Sequence, residues 1–172
     1  MMKRIYLYLL RHIVLFLVNK VFVGTNPKYF PIKRILLNRI GYSIGKGTKI
    51  VGPITCTGTL VVGENCWLGT RFTLHGNGKV IAGNNIDFGP EVTFLTGTHA
   101  IGGGKRRAGD GKHCVIEICD GCWIGGKSIF LNSIQVGNSS VIAAGAVVCK
   151  DISANTLAGG VPARIIKSLP DK

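Results

Sequence analysis

One histidine interrupts the stretch Phe94 to Gly102, "FLTGTHAIG", where small and aliphatic residues otherwise run on. An imidazole takes up and returns a proton near neutral pH, so His99 suits general base catalysis; an exposed histidine at a loop boundary is the plain structural alternative. A second grouping, His113, Cys114, Cys119 and Cys122, reads "HC" followed by "CDGC" and invites a zinc site. Zinc needs four converging ligands, of which C-x-x-C is a usual half. The chain carries no P-loop and no dinucleotide fingerprint.

Those residues sit on a repeat. From Ile44 the sequence divides into sixes: IGKGTK, IVGPIT, CTGTLV, VGENCW, LGTRFT, LHGNGK, then after Val80 and Ile81 AGNNID, FGPEVT, FLTGTH. It resumes at Ile118 as ICDGCW, IGGKSI, FLNSIQ, VGNSSV, IAAGAV, VCKDIS. The first place is aliphatic or Phe except at Cys56 and Ala82, the second is often Gly, and the fifth is small or aliphatic. No amphipathic helix has a period of six, and a hairpin meander does not put a turn residue at a fixed place in each six. A coiled ribbon does: three sixes make one triangular turn with first-place side chains stacked inward and Gly or Asn at the corners. Fifteen sixes predict about five coils, a column roughly 24 Å tall at about 4.8 Å per coil. His99 then ends a six on the outer face, directly before a projecting loop over residues 100–117. The same frame turns Cys122 inward and Cys119 elsewhere, so no metal site is expected. His75 and His99 are 24 residues apart, not the 18 of one coil, so they do not stack as paired ligands.

The sixes, the "TGTH" before the loop, "CWIGG" after it, "VIAAGAVVCKDI" and the closing "AGGVPARII" resemble the hexapeptide-repeat acyltransferases, closest to the branch that O-acetylates sugars and polysaccharides. The resemblance covers Ile44 to Leu169. It implies an all-β, left-handed parallel β-helix with a short C-terminal helical segment over 154–172, an acetyl-CoA donor, and active sites between the subunits of a homotrimer. Within it His99 is the general base on an acceptor hydroxyl, the Gly126 amide lies close to the thioester and Ala144 hydrogen-bonds the pantetheine arm. Trp123 packs beneath that arm. Lys150, Arg164 and Lys167 are placed to meet phosphates, since Lys and Arg suit phosphate recognition. Asn77 falls where sugar-acetylating relatives carry a hydrogen-bonder, with His75 in the adjacent turn, whereas Gly69 departs from the Asn expected in simple-sugar acetylators. The basic run Lys105, Arg106, Arg107 either lids the site or meets an anionic acceptor. Acetylation of an amino sugar and a non-catalytic β-helix scaffold are the alternatives.

Residues 1–43 lie outside the repeat. Ile5 to Val23 is mostly apolar, with polar residues at Lys3-Arg4, Arg11-His12 and Asn19-Lys20, about two turns apart and so on one stripe of a helix. A spanning helix would place Arg11 near mid-bilayer at about 2.5–3.5 kcal/mol. An amphipathic helix lying on a membrane avoids this, with Lys28, Lys33, Arg34 and Arg39 toward anionic headgroups; packing on protein is the other reading. The first fifty residues hold ten Lys and Arg and no carboxylate, within a chain of formal net charge +13. Such a segment seeks anions. No nucleic-acid-binding motif is present, and nucleic acid is not expected as a partner. Six cysteines without a secretory cleavage site point to a reducing cytoplasm, with peripheral attachment to the inner face of the membrane.

Overall fold

The computed structural model describes residues 2–170; Asp171 and Lys172 of the expected 44–172 domain lie outside the described residues. Helix α1 (Met2–Phe16) runs into a π-helical turn at Leu17–Val21, and α2 (Tyr29–Arg39) follows. Coil one is β1 (Ser43–Ile44), β2 (Lys49–Ile50) and β3 (Ile54–Cys56); coil two is β4 (Thr59–Val62), β5 (Trp67–Leu68) and β6 (Phe72–His75). Coil three is β7 (Lys79–Ala82), β8 (Asp87–Phe88) and β9 (Thr93–Leu95). A hairpin of β10 (Gly97–Ile101) and β11 (Ala108–His113) then interrupts the winding. Coil four is β12 (Val115–Ile118), β13 (Trp123–Ile124) and β14 (Ile129–Leu131), and coil five is β15 (Ile134–Val136), β16 (Val141–Ile142) and β17 (Val147–Val148). A sixth coil opens with β18 (Thr156–Gly160), against which β19 (Ala163–Ser168) turns back antiparallel.

The strands stack into three parallel faces: β1-β4-β7-β12-β15 on face A, β2-β5-β8-β13-β16-β18-β19 on face B, and β3-β6-β9-β14-β17 on face C. This is a left-handed parallel β-helix. All fifteen first-place residues are buried, from Ile44 to Val148. Inside the column Phe72, Phe88, Phe94 and Phe130 pack ring on ring, with Phe94 and Phe130 centroids 4.9 Å apart. The corner between faces A and B needs a left-handed residue in each coil, supplied by Gly47, Asn65, Asn85, Gly121 and Ser139. Glycine and asparagine bear that conformation at little cost.

Three expectations are corrected. The interruption is the hairpin, residues 97–113, rather than 100–117; Thr96 is the buried residue of that six, and Thr98 and His99 already stand on the hairpin. The C-terminal segment is two strands, not a helix. The third concerns the N-terminal helix: from its polar stripe Arg11 and Asn19 turn toward protein beside the buried Val14 and Val18, while His12 and Lys20 stay exposed. In the first coil every face has an open lower edge, and unpaired backbone groups there are costly when buried. The Asn19 carboxamide donates to Ile54 O and accepts from Ile54 N–H, both at 2.8 Å, as a neighbouring strand would. Asn38 treats Ile44 in the same way, at 3.0 and 2.9 Å. Arg11 Nη2 donates to Cys56 O (2.7 Å) and to the Tyr42 hydroxyl (2.9 Å), which also donates to Cys56 O. Lys33, expected near headgroups, is fully buried and donates to Gly24 O (3.0 Å) and Val51 O (3.2 Å). The two helices therefore cap the base of the column.

Burial lowers the Lys33 pKa from about 10.5 to about 8. The folded chain then binds fewer protons at this group than the unfolded chain between those values, so its contribution to stability is least favourable below pH 8 and improves up to about 10.5. Burial pushes Cys56 and Cys122 up to about 11 and raises Tyr42, and these groups lose stability as pH rises. They cancel in a comparison of wild type with Lys33→Met. That variant leaves Gly24 O unpaired, while Val51 O keeps the Gly24 N–H at 3.0 Å, and is expected to be less stable by about 1–3 kcal/mol at pH 7. In thermal unfolding the gap should widen from pH 8 to pH 10; a gap independent of pH would contradict a desolvated ammonium.

Candidate active site

The hairpin leaves the column at the corner between faces C and A. Its foot rests on the turn Gly76-Asn77-Gly78 of coil two: Thr96 N–H donates to His75 O (2.8 Å), and Thr96 Oγ1 accepts from Gly78 N–H (3.2 Å). A Cβ on Gly76 would come within 2.5 Å of Gly97 N, so the approach depends on glycine. Both hairpin strands are exposed along nearly their whole length, so the hairpin projects from the wall and does not fold over it. His99 is exposed on β10 directly opposite Gly111, which leaves the flank of the ring open. His113 pairs with Gly97 and lies on the same face of the hairpin as His99; the sequence signalled it only as a metal candidate. His75 and Asn77 are exposed at the same corner, one coil below.

Gly126 and Ala144 occupy the corner between faces B and C, in coils four and five. The Gly126 carbonyl accepts from Gly145 N–H at 2.9 Å, and among the described residues neither the Gly126 nor the Ala144 N–H has a backbone acceptor. The wall there is narrow because Gly125 stands directly against Ala144 N and Gly89 against Gly126 N. Two N–H donors without a backbone acceptor, one coil apart along a strip of small residues, can hold the carbonyls of a thin arm.

Lys150 and Arg164 line one cavity of about 380 Å³ at the top of the column, with Asp151 beside them. Lys167 is not there. It shares a ladder of face B with Leu157, Val141 and Trp123, whose indole is 61% exposed. The predicted residues thus fall in separate places. His75, Asn77, the hairpin and Lys150 follow the C–A corner, Gly126 and Ala144 the B–C corner, and Trp123 with Lys167 face B. The two corners bound face C and are about 20 Å apart at 3.3 Å per residue. Cys119 is half-buried and the buried Cys122 thiol donates to Gly137 O at 3.2 Å; among the described residues no three metal-binding side chains converge.

No family model matches the chain. It is 26% identical over 153 residues to the galactoside O-acetyltransferase of Escherichia coli (strain K12), across 88% of this chain and 75% of that enzyme. With the galactoside O-acetyltransferase of Lactococcus lactis subsp. lactis it is 31% identical over 142 residues, 79% of this chain and 67% of the relative. The crystal structure of a hexapeptide-repeat-containing acetyltransferase from Vibrio cholerae, complexed with acetyl coenzyme A, superposes with a TM-score of 0.81 at 25% identity, covering 96% of this chain and 88% of that one. By the wound sixes, the inserted hairpin and these relatives together, the chain belongs to the hexapeptide-repeat acetyltransferases.

Proposed function

We propose that the chain is an acetyl-CoA-dependent O-acetyltransferase acting on a sugar hydroxyl in capsular or exopolysaccharide assembly, working as a homotrimer in the cytoplasm and peripherally on the membrane. The observation that carries the reading is the separation of the two corners: a projecting imidazole at one end of face C, and a strip of free amides at the other. Copies packed side by side bring the C–A corner of one against the B–C corner of the next, and one cleft then holds both. Closed rings of this kind are what heterologous contacts generate.

In that cleft His99 takes the proton of the acceptor hydroxyl as its oxygen bonds to the acetyl carbon. The carbonyl oxygen becomes an oxyanion, which the Gly126 N–H stabilises. As the intermediate collapses, the carbon–sulfur bond breaks and the imidazolium returns the proton to the departing thiolate. Products are the sugar ester and free coenzyme A. Ala144 N–H holds the pantetheine arm, with Trp123 beneath it. Lys150, Arg164 and Lys167 meet the phosphates, and Asn77 with His75 grips the sugar. Lys105, Arg106 and Arg107 sit on the projecting hairpin beside the acceptor.

Free thiol release from acetyl-CoA, followed over a panel of saccharides, tests this. Release that depends on the saccharide and a product cleaved by mild alkali support ester formation. A base-stable product instead identifies amino-sugar acetylation, and absence of both donor binding and release leaves a scaffold.

A further inference from the structure

With Arg11, Asn19 and Lys33 turned into the column, the outer face of the base cap is mainly apolar, with exposed His12 at its flank against Tyr8. Tyr6, Leu9, Ile13 and Phe16 line the free side of α1, with Ile13 57% and Phe16 60% exposed, and Ile32 and Ile35 extend the surface onto α2. Exposed cations rim it: Lys20 and Lys28 between the helices, and Arg39 at the end of α2, where it shares a cavity with Tyr8. No carboxylate occurs in the first fifty residues, so nothing in this part of the chain neutralises them. None of the helices among the described residues is long and apolar enough to cross a membrane.

We infer that this base cap docks on an anionic lipid bilayer, and that the acceptor is a saccharide carried on a lipid anchor in that bilayer. An apolar helix face rimmed by cations matches the boundary between acyl chains and anionic headgroups. A second copy is the poorer occupant, because it would bring the same uncompensated cations face to face. The acceptor part of the inference rests on the acetyl-transfer reading and on the polarity of the column. His75 and Asn77 stand in coil two, next to the capped end, while Lys150 and Arg164 stand at the opposite end, above coil five. Allowing one helix diameter and one coil, the acceptor residues lie roughly 15 Å from the lipid-facing surface. A headgroup-borne sugar approaches from the bilayer side, and acetyl-CoA from the aqueous side.

The full chain should float with phosphatidylcholine vesicles containing about 30 mol% phosphatidylglycerol, not with phosphatidylcholine alone, and high salt should weaken binding. The triple variant Leu9→Asp, Ile13→Asp, Phe16→Asp should stay unbound with unchanged melting temperature, as should the neutral pair Leu9→Gln, Ile13→Gln to a lesser degree. One oligosaccharide is then offered free and as its lipid conjugate in the same vesicles. Wild type should prefer the conjugate at least tenfold in kcat/KM, and the triple variant should lose that preference while keeping its rate on the free sugar. Wild type that fails to float, or variants whose only change is a smaller mass in light scattering, would overturn the docking. Equal rates on both acceptor forms would overturn the lipid-linked acceptor. Acetyl transfer to neither form would overturn the enzyme reading and the acceptor with it, while flotation alone decides the docking.

Discussion

Replacing His99 with alanine should lower acceptor-dependent thiol release by about 10²–10⁴-fold, the range for a general base, with the melting temperature and acetyl-CoA affinity unchanged. The fold does not depend on this ring. It is exposed on a hairpin that stands off the column, and the residue across from it is a glycine. A loss confined to kcat would therefore report a missing proton acceptor. Imidazole added to the assay should restore part of the rate, because the gap beside Gly111 admits a small base. Undiminished release by His99→Ala would remove the residue from the mechanism.

The second large effect concerns stability and inverts the usual rule for amphipathic helices. Asn19→Leu makes the π-helical turn after α1 more apolar, yet it should destabilise the protein by about 2–4 kcal/mol, because Ile54 N–H and C=O both lose their partner at a part-buried strand edge. The exposed change Ile13→Asn should cost under about 0.5 kcal/mol. Chemical denaturation of the two variants separates the cases. If Asn19→Leu were neutral and Ile13→Asn costly, Asn19 would not close the strand edge and the Ile13 side of α1 would be the packed one.

The winding is legible in the sequence because its rule is local: each first-place side chain, Ile44 through Val148, meets the same place three sixes away, and the corner between faces A and B takes a left-handed residue in every coil, mostly Gly or Asn. The point where winding stops is harder to read. Thr98 has the size of an inward fifth-place residue, but Thr96 fills that role two residues earlier and Gly97 starts the hairpin. The family resemblance implies a helical closing segment, whereas its Ile165 and Ile166 lie on a strand that extends face B. The direction of α1 is not legible at all. A polar stripe identifies an odd face, not which side is protein, and the partner of Asn19 is a strand edge 35 positions on. At the candidate site the type of His99 and the loop beside it are visible in the sequence. Its distance from Gly126 and Ala144 is not, because only the folded faces put those residues at opposite ends of face C.

That separation makes a mixing experiment the most direct test. His99→Ala lacks the base, and Ala144→Trp covers the strip of amides with a bulky ring at an exposed position. Each variant alone should be inactive. Unfolded together in equal amounts and refolded, they should recover about a quarter of wild-type activity, since random assembly pairs an intact hairpin with an intact neighbouring strip at about one interface in four. Mixtures as inactive as the separate variants would contradict a site built from two chains.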